Sequence, residues 1–348
     1  MKFYDYIIIG QGLAGSLLSY HFYLKKKSAL VIDQPDPFSA SQQAAGLYSP
    51  VTGKNLVFTW KVHQLFQYLI KTYTDLEQLL DQKFLHRLQI YKPFLNNQEF
   101  NDWMGKDTIP ATSYFVENIL PSGRLNSMVK DPYGGLLLKN SGYLDVPELL
   151  HSYRKYLTRH ELLLEDSVEP GNIYFRKDYV QYKKIKAGKI ILCTGNSSLN
   201  QYYFPELQIW PLRGEIVEVE FTEPPQNIIS RGIFMLPKSR NLTRIGATYE
   251  RGVTEISCQL QVRKQFDERI RKLYRSEFVL KGQSVGVRPT TMDRRPLLGF
   301  HPRLKLLGIF NGLGTKGVSL APFFANEMVN YLEEATEIAI ETDINRYF

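Results

Sequence analysis

Cysteine is scarce in this chain: Cys193 and Cys258 are the two thiols in 348 residues. Two distant thiols give neither a disulfide framework nor metal-ligand spacing, so a reduced, cytoplasmic compartment is expected, with no metal site. No apolar run approaches the roughly 20 residues that a membrane-spanning helix needs. The opening MKFYDYIIIG holds one lysine, an acid and a short apolar run, which is too short and wrongly flanked for a secretory signal. Repeats and low-complexity stretches are missing too, which argues against solenoids and linkers. The six histidines, His21, His63, His86, His151, His160 and His301, fall in no catalytic motif and read as structural or exposed.

What is present fits a globular protein. Hydrophobic residues make up 43% and aromatics 13%, enough to build cores and to argue against disorder. A chain of 348 residues exceeds what one core usually serves, so two domains are expected. The formal net charge is +8, which suits nucleic acid or anionic substrates but is equally compatible with a diffuse excess. The densest early cluster, Lys25 to Lys27, ends the first predicted helix, where cations suit the helix dipole.

Periodicity sets the layout. YDYIIIG reads as a buried strand, LAGSLLSYHFYLKKK as a helix and ALVID as a second strand: a β-α-β unit. Leu56 to about Leu80 reads as helix, with Trp60, Val62, Leu65, Phe66 and Leu69 on one face. FLHRLQIYKPF is strand-like, with Pro93 at an end or edge. Asp145 is placed to cap a helix, with Glu148 three residues on. KIILCTGNSS is a buried strand running into a turn, GEIVEVEF and RIGATY alternate like half-buried antiparallel strands, and VRKQFDERIRKLYR is a charged amphipathic helix. Parallel-type pieces stand at the start, near residue 190 and at the end. A nucleotide-binding domain of separated segments, interleaved with a substrate domain, accounts for this. The expected division is 1–80, 141–204 and 285–348 against 81–140 and 205–284.

Two glycine clusters carry chemistry. IIIGQGLAG gives G-x-G-x-x-G at Gly10, Gly12 and Gly15, after a strand and opening a helix, and the second strand ends at Asp33 and Gln34. Gly10 makes the tight turn, Gly12 lets the backbone approach a pyrophosphate, and Gly15 lets helix and strand pack. The amide end of the helix, from Leu13 and Ala14, faces the phosphates, and Asp33 is placed to accept a ribose hydroxyl. The fingerprint does not separate NAD from FAD. The following stretch DPFSASQQAAGLYSPVTG, with Ser39, Ser41, Gln42, Ala45, Gly46 and Leu47, suits a longer cofactor, as does Gly195 in the turn after the third parallel strand. NGLGTKGVSLAP places Gly312, Gly314 and Gly317, with Leu313, Thr315, Lys316 and Val318, between an apolar run and a helical pattern. Such a turn seats something electron-rich against a helix N-terminus.

Taken in order, YIIIGQGLAGS, SASQQAAGLYSP, GYLDVPELL, KIILCTGNSS, PLRGEIVEV, FMLPKSRNLTRIGATYE, GVRPTTMDRRPLLG and NGLGTKGVSLAP resemble the D-amino-acid-oxidase-type FAD-dependent oxidoreductases, the group of glycine oxidase, sarcosine oxidase and D-amino-acid oxidase. The resemblance runs from Tyr6 to about Tyr331. It implies a mixed α/β fold: a Rossmann-like FAD-binding domain with a parallel sheet, and a mostly antiparallel substrate domain carrying helices. It implies that the C-terminal glycine loop lies beside the flavin ring and stabilises charge at N1 and O2 on reduction. It implies that Arg288 binds a substrate carboxylate. Phe234 stands near where relatives often place a pocket tyrosine, a departure for which Tyr249 is the candidate substitute. Arg294 and Arg295 read as turn residues. No cysteine or histidine matches a covalent flavin attachment, so FAD is expected to be non-covalent. The implied reaction is oxidation of a C–N bond by hydride transfer to flavin N5, which needs no certain catalytic side chain if the amine binds neutral. Without a second fingerprint, electrons are expected to leave to oxygen or another acceptor.

The last motif also resembles the oxidoreductase domain of the bifunctional enzyme that modifies wobble uridine in tRNA. A tRNA base carrying a carboxymethylaminomethyl group is therefore an alternative substrate; the lack of a fused methyltransferase weighs against it. A flavin-binding protein without turnover, and an NAD-dependent dehydrogenase, are the remaining alternatives.

Overall fold

The computed structural model describes residues 2–106, 109–239 and 241–348. The run Tyr6–Ile9 is apolar because it lies in mid-sheet with both faces covered. Strand β1 (Lys2–Ile9) pairs in parallel with β2 (Ala29–Asp33) and with the strand Ile185–Leu192, and helix α1 (Leu13–Leu24) makes the crossover. Six strands of this eight-stranded sheet run in the order Leu163–Glu165, β2, β1, Ile185–Leu192, Val180–Tyr182, Ile173–Phe175; off that path, Leu307–Asn311 pairs with Ile185–Leu192 and with Leu297–Phe300. Ile185–Leu192 changes partner along its length. Its first residues pair antiparallel with Val180–Tyr182, and Ile190 to Leu192 pair parallel with Leu307 to Ile309. The carboxyl ends of β1, β2, Ile185–Leu192 and Leu307–Asn311 therefore share one edge, the edge where open α/β sheets bind ligands.

The second sheet has nine strands and is mostly antiparallel. Its spine is Trp210–Phe221, paired on one side with Phe278–Thr290 and on the other with Leu242–Gly246, followed by Ile233–Pro237, Ile228–Arg231 and Ile90–Pro93. Pro93 ends its strand, as a residue without an N–H donor should. Helix Leu260–Leu273 covers one face with Val262, Phe266, Ile270 and Leu273, spaced as an amphipathic stripe. The other face looks toward the first sheet.

Two local expectations change. The second helix, α2, spans Val62–Leu80 and does not begin at Leu56. Leu56 and Lys61 have φ of 47° and 49°, and Val51–Thr52 pairs with Val57–Phe58 as a small hairpin. Burial of Leu56 and stacking of Trp60 on Phe324, 5.6 Å between ring centroids, outweigh local helical preference. Asp145 does precede the helix Val146–Arg159, but its side chain caps no amide; its carboxylate takes the ammonium of Lys238 at 2.5 Å, since a charged partner binds it more strongly.

Candidate active site

A cavity of about 2880 Å³ opens between the two sheets. Drug-sized ligands usually occupy about 300–1,000 Å³, so this space has room for a dinucleotide-sized group and a substrate together. Among the sequence-predicted site residues, Gly15 alone does not reach its wall. A Cβ on Gly15 would lie 1.9 Å from the Gly10 carbonyl oxygen, so this glycine serves helix–strand packing. Gly10 has φ of 103° and backs onto the Cys193 carbonyl. Gly12 differs: φ is −71°, and an added Cβ would meet only the Ser41 hydroxyl, at 3.3 Å. The room beside Gly12 is open to a ligand.

Asp33 ends β2 with both carboxylate oxygens engaged. Oδ1 accepts the Gln11 amide at 2.9 Å and Oδ2 accepts Arg154 Nη1 at 2.8 Å. Each oxygen keeps a further lone pair for a ribose hydroxyl. Arg154 comes from the helix Val146–Arg159 and also holds Gln11 and Glu165. Nothing in its surroundings in sequence announced it; the parallel pairing of Leu163–Glu165 with β2 brings the partners together. Ser41 Oγ accepts the Leu13 amide at 3.1 Å, tying the serine-bearing stretch to the first helix turn. Gly46 lines the cavity, yet its glycine is required elsewhere: a Cβ would lie 1.8 Å from the Leu144 carbonyl oxygen, and φ is 75°.

At the other end of the cavity stands the second glycine loop. Gly312 and Gly314 have φ of 71° and 55°. Asn311 binds the Gly195 carbonyl and the amide of Gly312, so the Gly195 turn and this loop are held as one wall. The amides of Thr315, Gly317 and Val318 find no protein acceptor among the described residues. They stand at the N-terminus of the long helix Gly317–Glu334, a setting that favours negative charge. Lys316 is not a free surface lysine: its Nζ meets Thr52 Oγ1 at 3.0 Å. Burial, then the charges of Arg294 and Arg295, pushes its pKa down.

Arg288 projects from the strand Phe278–Thr290 over Gly214, where any Cβ would collide with the guanidinium. Its flanking residues are tied to three cofactor-side segments. Val287 bridges Ser39 and accepts Asn196 Nδ2 at 2.8 Å, and the Pro289 carbonyl accepts the Gly314 amide at 2.9 Å. The guanidinium makes no hydrogen bond or ion pair among the described residues, and its Nη1 is buried without a partner. Burial pushes its pKa down. The Tyr249 ring covers it at 5.4 Å, and Tyr249 itself remains largely exposed. Phe234 lies on the cavity wall beside Gly246. Arg294 and Arg295 do more than make a turn: both line the cavity, and Arg295 stacks on Trp60 at 3.9 Å.

The family model described as DAO, FAD dependent oxidoreductase, matches residues 5–331. The chain belongs to this family. FAD is thus its cofactor, and the residues fit it: open space beside Gly12, spare lone pairs on Asp33, and acceptor-less amides at the second glycine loop. Among curated family relatives, the tRNA 5-methylaminomethyl-2-thiouridine biosynthesis bifunctional protein MnmC of Legionella pneumophila (strain Corby) is 24% identical over 314 residues, 85% of this chain and 45% of that protein. The chain thus spans about half the length of that relative. The uncharacterized oxidoreductase YurR of Bacillus subtilis is 21% identical, with 96% of each chain covered. Among solved structures, glycine oxidase from Bacillus cereus superposes with a TM-score of 0.79 at 19% identity, covering 96% of both chains. Iminodiacetate oxidase from Chelativorans sp. BNC1 superposes with a TM-score of 0.80 at 18% identity, covering 97% of this chain and 99% of its own. The family fold therefore extends over nearly the whole chain. Among the described residues no helix is long and apolar enough to cross a membrane.

Proposed function

We propose that this family member oxidises the C–N bond of an amino acid or another amine carrying a carboxylate. Bound FAD supplies the chemistry of accepting a hydride from the carbon that bears the amine. The protein supplies placement. The observation that carries the reading is the partnerless Arg288 guanidinium on the cavity wall. A buried charge without a partner is costly, and a carboxylate matches its planar fork. The Pro289 carbonyl fastens the Arg288 strand to the second glycine loop at Gly314, so an amine anchored at Arg288 would lie near the loop's amides and Lys316. Those groups favour the negative charge that accompanies reduction. With the amine bound neutral, no side chain has to take its proton, and electrons then pass to oxygen or another acceptor. The names of the two structural relatives support this reading, since glycine and iminodiacetate are both carboxylate-bearing amines.

Anaerobic bleaching of the bound flavin by a panel of amines, amino acids and modified nucleosides tests it. Arg288→Ala should weaken the active amine about tenfold to over a hundredfold, the loss of one charge-assisted pair worth about 1.5–3 kcal/mol. Arg288→Lys should recover little, because a point charge cannot form the fork. An unchanged rate of flavin reduction in Arg288→Ala would make the arginine structural. A second reading, a carboxymethylaminomethyl-bearing tRNA base, is favoured by the name of the MnmC relative. Bleaching by the nucleoside and not by free amino acids would select it. A yellow protein that no amine bleaches would select flavin binding without turnover.

A further inference from the structure

One row of residues crosses the cavity face of the second sheet. Arg288 lies over Gly214, two residues from Ile216; Ile216 pairs with Gly246, Gly246 with Phe234, and Phe234 with Ser230. Lys92, on the next strand, reaches back to Ser230. The row is thus cationic at both ends and apolar between them, where the Phe234 ring lies over Gly246.

At the far end Glu99 pairs with Arg231, and Lys92 is left without a carboxylate partner among the described residues. Lys92 is only 5% exposed, lines the cavity, and has as its nearest polar partner the Ser230 hydroxyl at 3.4 Å. Beside it, Arg231 is 8% exposed in its side chain; Glu99 takes Nη2, while Nη1 is buried without a partner. Burial, then the charges of Arg231 and Lys316, brings the Lys92 pKa down to about 8, the direction that burial and neighbouring cations give a lysine.

We propose that Lys92 and Arg231 form a second anion-binding subsite, so that the substrate carries, besides the carboxylate anchored at Arg288, a second acidic group at the far end of an apolar spacer. This rests on the Arg288 reading above. Three strand spacings plus the two-residue offset put the two cationic ends roughly 15 Å apart. The second group is a carboxylate or a phosphate; both are anions that a lysine and a guanidinium nitrogen bind.

The test titrates FAD-loaded protein with α,ω-dicarboxylates from glutarate to dodecanedioate, and with monocarboxylates of equal length, following the flavin spectrum and binding heat. Within one window of length the diacid should bind about tenfold or more tightly than its monoacid, the gain expected of one added charge-assisted pair. Lys92→Met and Lys92→Gln should erase that gain while keeping FAD and the monoacid affinity. Equal affinities at every length, or a gain that survives both variants, would overturn the proposal. So would loss of FAD in both variants, which would assign the cation to the cofactor. Replacing one carboxylate by a phosphonate distinguishes the two anions by which binds more tightly. Monoacid binding that survives Arg288→Ala would remove the anchoring reading itself, a separate failure visible before Lys92 is touched.

Discussion

Lys92 shows how a single residue reports on both stability and site. Sequence places it in a strand-like stretch, and nothing there says which face it takes. The fold turns it inward among cations, with its pKa lowered to about 8 by burial first and by Arg231 and Lys316 after. An unfolded lysine titrates near 10.4, so folding costs about 3 kcal/mol at this residue wherever it stays protonated, that is, below pH 8. As pH rises from 8 toward the unfolded value, the native state has already lost the proton and the cost disappears. Lys92→Met should therefore stabilise the protein by about 2–3 kcal/mol at pH 7, with the advantage shrinking by pH 9.5. Urea unfolding at the two pH values checks this; a destabilised variant would mean that the lysine is a structural prop. Arg154 makes the converse case. It too was invisible in sequence, yet it is fully partnered and holds Asp33 in place.

At the scale of elements, turns were more legible than boundaries. A G-x-G-x-x-G between a strand and a helix leaves the backbone few alternatives: Gly10 makes its turn against the Cys193 carbonyl and Gly15 packs against the Gly10 carbonyl, as their spacing implies. Gly12 has a φ open to any residue, and a Cβ there would meet only the Ser41 hydroxyl, at 3.3 Å. Gly12→Val should fold with a melting temperature close to that of FAD-free wild type, yet purify colourless. A yellow Gly12→Val protein would refute the pyrophosphate role. The spine strand Trp210–Phe221 hides what its alternation did not announce. Arg213 and Glu215, both fully buried, bond to each other at 2.6 Å, and Arg213 also holds Glu250 and the carbonyls of Glu255 and Ser257. Gln283 and the Gln259 amide complete the acceptor side of Glu215. This network straps the segment after Tyr249 onto the sheet. Removing one partner of a buried pair typically costs 3–5 kcal/mol, so Glu215→Ala should lose about that much in urea unfolding. A loss below about 1 kcal/mol would show the strap to be dispensable.

For the whole molecule, the cavity is walled by segments from the start, middle and end of the chain, so a cofactor bound there would join all three. FAD should therefore stabilise the whole fold, by about 2.7 kcal/mol at a hundredfold excess over its dissociation constant. Acid denaturation should leave the yellow colour in the supernatant, because Cys193, among the described residues the only cysteine on the cavity wall, is buried just after the strand Ile185–Leu192 with its thiol pKa pushed up by burial. Colour retained in the pellet would instead mean a covalent link. The sequence by itself determined the β-α-β start, both glycine turns, the acid at Asp33, the antiparallel alternation and, through ordered motifs, the family. These are local features: a turn that needs glycine, or a strand that buries both faces, writes its constraint into adjacent residues. Only the tertiary structure decided that Arg288 lacks a partner among the described residues, that Arg154 meets Asp33, that Lys92 and Arg231 share one end of the cavity, and that Arg213 and Glu215 are fastened inside a sheet. Pairing between distant charges depends on strand register and sheet order, and neither is encoded in the residues next to any one of them.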